Sequence, residues 1–224
     1  MSDFGIRRIS VQGWATKTSA LLQSLIDRYL IDKCSCNVML TGGRSAACLY
    51  QAWARRLDES GNLNGVHFFF GDERCVPPNH PESNHGNVME NLFPKGIPKG
   101  VLIDRMAADE VDLESAADSY SELLPDSIDI LLLSMGEDGH IASLFSHSTA
   151  LYETRRRVLP VTGPQPPFKR LTIAPSVIQN AREVVVLALG EQKRLIYEEA
   201  LRNVTDFDSI PARLVLNRTW IFGD

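Results

Sequence analysis

Short apolar runs alternate along the chain with longer stretches in which apolar residues recur every three or four positions. The first pattern belongs to strands buried on both faces, the second to helices with one face on a core. Residues 15–30 carry Leu21, Leu22, Leu25, Ile26, Tyr29 and Leu30 at helical spacing, and 45–57 place Leu49, Trp53 and Leu57 four apart. Further helices are predicted over 84–92, 111–124 and 191–201, with a short one opened by Pro175, which suits a first-turn position. A helical turn is predicted over 140–145. Strands are predicted over 37–40, 66–70, 101–106, 129–135, 171–174 and 183–189, and the tail from Ala212 adds a last one. Apolar strands separated by helices predict an α/β fold, Rossmann-like, with a mainly parallel sheet and helices on both faces. Neither a repeat nor a long linker interrupts the alternation, so a single domain over 1–224 is expected. The pattern does not set the strand order.

Composition narrows the partners more than the fold. The 224 residues are 44% hydrophobic and 23% charged, enough to bury a proper core. Net charge is -5 and the basic residues are scattered, so the electrostatic footprint of a nucleic-acid binder is missing. The longest apolar runs, such as 184–189, fall far short of the roughly 20 residues of a membrane span. The N-terminal "MSDFGIRRISVQGWATKTSA" lacks the continuous apolar segment of a secretory signal, and a cytoplasmic protein is expected. Cys34, Cys36, Cys48 and Cys75 form no CxxC pair and no zinc-site spacing, so they are read as reduced structural thiols, with no metal.

The polar clusters fall where a parallel sheet would gather them. In open α/β sheets ligands bind outside the carboxyl ends of the strands. Here Leu40 is followed by Thr41-Gly42-Gly43-Arg44-Ser45, Phe70 by Gly71-Asp72-Glu73-Arg74, Leu133 by the Gly136-to-His140 turn, and Leu189 by Gly190-Glu191-Gln192-Lys193. In the first, two glycines permit a tight turn, Ser45 is placed to cap the next helix, and free amides at its start favour an anion, usually phosphate. In the second, strand alternation turns Asp72 and Arg74 to the crevice and Glu73 away. Lys193, in a helix's first turn, opposes the helix dipole unless an anion sits nearby. Among the histidines, His67 is read as packed in a strand, and His80 and His147 as loop or helix-end residues; His85 is kept as a minor site candidate. His140, between glycines and acids behind a strand, is the candidate base, since an imidazole titrates near pH 6.5, about neutrality. No G-x-S-x-G elbow supports a serine nucleophile.

The segments "LTGGRSAACLYQAW", "FFFGDERCVPPNHPESNHGNV", "ILLLSMGEDGHIASLFSH" and "KRLTIAPSVIQNAREVVVLALGEQKR" occur in the order seen in 6-phosphogluconolactonases, and the resemblance runs over residues 38–213. It implies hydrolysis of 6-phospho-D-glucono-1,5-lactone to 6-phospho-D-gluconate in the oxidative pentose phosphate pathway. It also implies a fold shared with glucosamine-6-phosphate deaminases, no cofactor, and functional coupling to glucose-6-phosphate dehydrogenase. By the same resemblance His140 is the general base, with Asp72 and Arg74 the active-site acid and arginine. Gly42, Gly43, Arg44, Ser45, Arg170 and Lys193 look like the phosphate-binding set. The oxyanion is assigned to Arg74 and to backbone N–H groups of the Gly136-to-His140 turn, Gly136 and Gly139 among them. Either Asp138 or Asp72 orients the imidazole. The chain departs from the commoner wording at Ala46 and Ser146, where proline is usual, and neither change removes a chemical group. Two rivals are weighed. An amino-sugar phosphate deaminase would continue "GHIAFNEPGS" and carry Tyr at position 74. A non-catalytic sugar-phosphate sensor would have lost His140 or Asp72.

Overall fold

A computed structural model describes residues 13–59 and 61–223. The N-terminal stretch read for a signal lies mostly outside them. The chain runs α1 (Trp14–Lys33), β1 (Cys36–Leu40), α2 (Arg44–Glu59), β2 (Val66–Phe70), β3 (Asp72–Arg74), α3 (Asn84–Asn91), β4 (Leu102–Ile103) and α4 (Leu113–Leu123). It continues through β5 (Ile130–Ser134), β6 (Val158–Thr162), β7 (Lys169–Ile173), α5 (Pro175–Asn180), β8 (Glu183–Leu189), α6 (Glu191–Ala200) and β9 (Thr219–Gly223). Short 3-10 turns occupy Thr149–Tyr152 and Pro211–Val215. Among the described residues no helix is long and apolar enough to cross a membrane.

Six strands form one sheet in the order β4-β2-β1-β5-β8-β9, every neighbouring pair parallel. From β1 the chain builds outward through β2 to β4, then returns to the other side of β1 and builds outward through β5, β8 and β9. The reversal lies between β1 and β5, and a crevice must open beyond their carboxyl ends. Both strands are nearly wholly buried, which is why they read as unbroken apolar runs. α2 buries Leu49 and Trp53 as its spacing predicts, and the Trp53 indole N–H finds the Gln23 Oε1 at 3.2 Å, as a buried indole requires.

A second sheet was not foreseen. Strands β3, β7 and β6 pair antiparallel in that order. β3 is three polar residues long, and β6 carries Pro160 on the edge, where a missing N–H costs no ladder bond. The strand predicted over 171–174 therefore belongs to this smaller sheet rather than to the parallel one. The strand expected over 101–106 shrinks to Leu102–Ile103 at the edge of the main sheet, with Leu102 exposed. The helical turn expected over 140–145 is absent. Isolated bridges Met135↔Ile141 and Ile141↔Leu144 and a left-handed Ala142 fold this segment back on itself, because Ile141 and Leu144 are both drawn into the core. Of the thiols, Cys36 is buried and its pKa is pushed up to about 12 by burial, whereas Cys34 and Cys48 are exposed and so are not core residues.

Glu73 turns away from the crevice as alternation predicts, but it is no surface residue. It is 3% exposed, and burial pushes its carboxyl up. The carboxylate accepts N–H groups from Arg74 (2.8 Å), Asn84 (2.7 Å) and His85 (2.8 Å), and the Ser83 hydroxyl (3.2 Å). It ties β3 to the start of α3. Glu73→Ala would leave several of these donors buried and unpaired at about 1–3 kcal/mol each, so a loss of about 2–4 kcal/mol in denaturant-measured stability is expected.

Candidate active site

Beyond the carboxyl ends of β1 and β5 lies a cavity of 130 Å³, lined by Thr41, Gly42 and Gly43 after β1, Ser134 at the end of β5, and Met135, Gly136 and His140 after it. The second sheet contributes Asp72, Arg74 and Arg170, while α3 contributes Asn84 and α6 Lys193; Ala142 completes the wall. All four polar clusters that follow the apolar strands thus reach one place. Eight predicted residues line it: Gly42, Gly43, Asp72, Arg74, Gly136, His140, Arg170 and Lys193.

The His140 turn is braced from within. His140 Nδ1 lies 2.5 Å from Asp138 Oδ1. An ionised carboxylate can only accept, so Nδ1 donates to it, and the neutral ring keeps its lone pair on Nε2. Of the two acids that the sequence left open, it is Asp138 that bonds the imidazole. Partial burial works to raise the Asp138 carboxyl, but the His140 hydrogen bond and charge outweigh it and hold the group at about 2. A depressed carboxyl stabilises the fold above its unfolded value, about 3.9, and that contribution is lost as pH falls through about 2. The stability gap between wild type and Asp138→Asn is therefore expected to close between about pH 4 and about pH 2 in denaturation curves. The effect should be small, since half of the Asp138 side chain is exposed.

Asp72 is held otherwise. It is buried, with Asn84 Nδ2 3.0 Å from one carboxylate oxygen and Ser143 Oγ 2.7 Å from the other. Asn84 can approach because position 42 is glycine: a Cβ there would fall 1.7 Å from Asn84 Oδ1. Asn84 is the residue sequence reasoning missed. Its neighbour His85, kept as a candidate, instead packs its half-buried ring on Phe70 at 5.8 Å, outside the cavity. The helical rotation between adjacent positions, about 100°, separates the two. His67 is bonded to Asp104 at 2.8 Å and His147 to Asp208 at 2.6 Å, both away from the cavity.

Two sets of predicted residues need correction. Gly136 and Gly139 were expected to offer amides to an oxyanion, but Gly136 N–H already donates to the His140 carbonyl at 2.8 Å and Gly139 N–H to the Gly136 carbonyl at 3.2 Å. Their value is steric. A Cβ at Gly136 would sit 2.2 Å from the His140 ring, and one at Gly139 2.7 Å from Ile210. Arg44 is exposed and Ser45 only half-buried, and neither lines the cavity. Ser45 lies inside the first turn of α2 rather than at its cap. The first intrahelical bond runs from Ala47 N–H to the Gly43 carbonyl, so the amides before Ala47 have no carbonyl of their own helix to bond.

The charge balance asks for an anion. Arg74 and Arg170 are direct cross-strand partners of β3 and β7, a like-charge pairing that destabilises a sheet. Burial and the facing Arg74 push the Arg170 guanidinium below its usual range. Burial likewise lowers Lys193, with Glu137 countering and Arg44 adding to the effect. Arg74 reaches Glu82 at 3.0 Å with one terminal nitrogen, yet its Nε is buried without a hydrogen-bond partner among the described residues.

Known proteins resemble this chain along most of its length. The family model described as glucosamine-6-phosphate isomerases/6-phosphogluconolactonase matches residues 10–222. The 6-phosphogluconolactonase of Pseudomonas aeruginosa is 33% identical over 186 residues, spanning 80% of this chain and 76% of that one. That of Mycobacterium tuberculosis is 34% identical over 198 residues, spanning 81% and 78%. The 6-phosphogluconolactonase structure from Trypanosoma brucei superposes with a TM-score of 0.79 at 27% identity, covering 97% of this chain and 96% of that one. One from Shewanella baltica gives a TM-score of 0.88 at 23% identity, with 98% of both chains covered, and shares the fold. With its sheet reversal, its acid-braced histidine and its cluster of cations in one crevice, the chain belongs to the family of glucosamine-6-phosphate isomerases and 6-phosphogluconolactonases.

Proposed function

We propose that this protein hydrolyses 6-phospho-D-glucono-1,5-lactone to 6-phospho-D-gluconate, with His140 as general base. The observation that carries the reading is the placing of His140, braced by Asp138, and three cations, Arg74, Arg170 and Lys193, on one cavity. The substrate phosphate binds Arg170, Lys193 and the first amides of α2, to whose dipole an anion is suited. That remote anchoring holds the lactone carbonyl for attack, a contribution worth several kcal/mol. His140 Nε2 takes a proton as a water oxygen bonds to C1. The resulting imidazolium is stabilised by Asp138. With the Gly136 and Gly139 amides already engaged, the tetrahedral oxyanion is received by Arg74, whose buried Nε–H lacks an acceptor among the described residues. The C1–O bond to the ring oxygen then breaks, and the imidazolium returns its proton to that oxygen.

Arg at position 74 and "GHIASLFSH" after the turn favour the lactonase over the deaminase reading. The same reading carries a cytoplasmic site of action and functional coupling to glucose-6-phosphate dehydrogenase. The deciding assay compares lactone hydrolysis with ammonia release from glucosamine 6-phosphate. Lactone opening well above the uncatalysed rate, without ammonia, is expected; ammonia release, or phosphate-ester binding without turnover, would overturn it.

A further inference from the structure

Phe145 is 7% exposed and touches two residues of the candidate site, His140 and Arg170. On one side its ring meets the His140 imidazole, centroids 4.9 Å apart and planes 50° to each other. On the other the Arg170 guanidinium carbon lies 5.4 Å from the ring centroid. Each neighbour has few other polar contacts. His140 has a hydrogen bond on one ring nitrogen, to Asp138. Among the described residues, Arg170 makes one side-chain hydrogen bond, from Nε to the Pro167 carbonyl at 3.2 Å. An aromatic face supplies the missing contact to both, packing on the imidazole and attracting the cation through the ring quadrupole.

The turn between β6 and β7 closes this arrangement from outside. A Cβ at Gly163 would lie 3.0 Å from Phe145 Cζ and 3.2 Å from Arg170 Nε, so the glycine leaves room for both side chains together. Phe145 and Asp138 also line a larger neighbouring cavity of 880 Å³, formed in part by Thr162, Gly163 and Lys169. The ring is thus a partition as well as a brace.

We infer that Phe145 is a positioning residue that sets the His140 imidazole and the Arg170 guanidinium relative to each other, so that substrate anchored by its anion meets the base in register. The kinetic half of this inference rests on the lactonase reading; the anion-binding half does not. The test uses Phe145→Leu and Gly163→Ala beside wild type, with kcat at saturating lactone and the Kd of inorganic phosphate by calorimetry. Loss of the ring face should weaken phosphate about 2–30-fold. Loss of register should lower kcat about 10–10²-fold. Gly163→Ala, which keeps the ring but crowds it, should shift both values the same way by less. A merely structural role would lower the thermal midpoint or the folded fraction and leave the phosphate Kd of the folded protein unchanged. Either quantity within twofold of wild type in folded Phe145→Leu overturns the inference. Should that variant not fold, wild-type values in Gly163→Ala do so instead. If wild type turns over no lactone, the functional reading fails, and the phosphate Kd alone decides this one.

Discussion

His140→Ala should lower kcat for lactone hydrolysis about 10²–10⁴-fold, the usual worth of a positioned general base, while the protein remains folded. The side chain is partly exposed and its ring bonds only Asp138, so its removal leaves no large void and strands no deeply buried group. What remains in the variant is the anion site and the Arg74 donor, which position the lactone without activating water. KM should therefore move less than kcat. Rates measured above uncatalysed ring opening decide the matter, and a kcat within a few-fold of wild type would remove His140 from the mechanism. On this reading Asp138, held ionised beside it, would act through the imidazole and could not substitute for it.

Arg170→Met should act on the other parameter. Loss of charge-assisted hydrogen bonds to an anion costs about 1.5–3 kcal/mol, which raises KM about 10–150-fold, with a smaller change in kcat. Breaking a buried ion pair usually destabilises by about 3–5 kcal/mol. Here the loss should be well below that, because the residue directly across the strands is Arg74 and not a carboxylate. Phosphate should raise the unfolding midpoint of wild type, since a ligand that binds only the folded state stabilises it. The same addition should move the variant far less. A KM unchanged within twofold would place the phosphate elsewhere.

The position of the site was legible because of what a parallel sheet imposes. Strands that run the same way deliver their following residues to the same edge, so the glycine-rich and charged clusters after Leu40, Phe70, Leu133 and Leu189 had to converge. The smaller sheet was not legible. Its central strand looked like one more member of the main sheet, and β3 is too short and polar to carry an alternation that could be counted. Asn84 escaped for a related reason. Its role depends on the space left by Gly42, a residue 42 positions away in the chain, and no local pattern reports such a pairing. The glycine part of the oxyanion assignment does not hold, because glycine amides beside a candidate histidine look available in sequence, whereas the fold of the turn uses them on its own carbonyls.

Periodicity, strand direction and side-chain type are local properties, so the fold class, the crevice edge and the chemistry available there could be read from the residues themselves. Packing was needed to show which acid bonds His140, which two cations oppose each other across β3 and β7, which glycines are needed for room rather than for donors, and where Phe145 stands between His140 and Arg170. Some of those are distances between segments far apart in the chain, and those within residues 136–145 depend on how the core folds that segment back on itself, so none exists before packing.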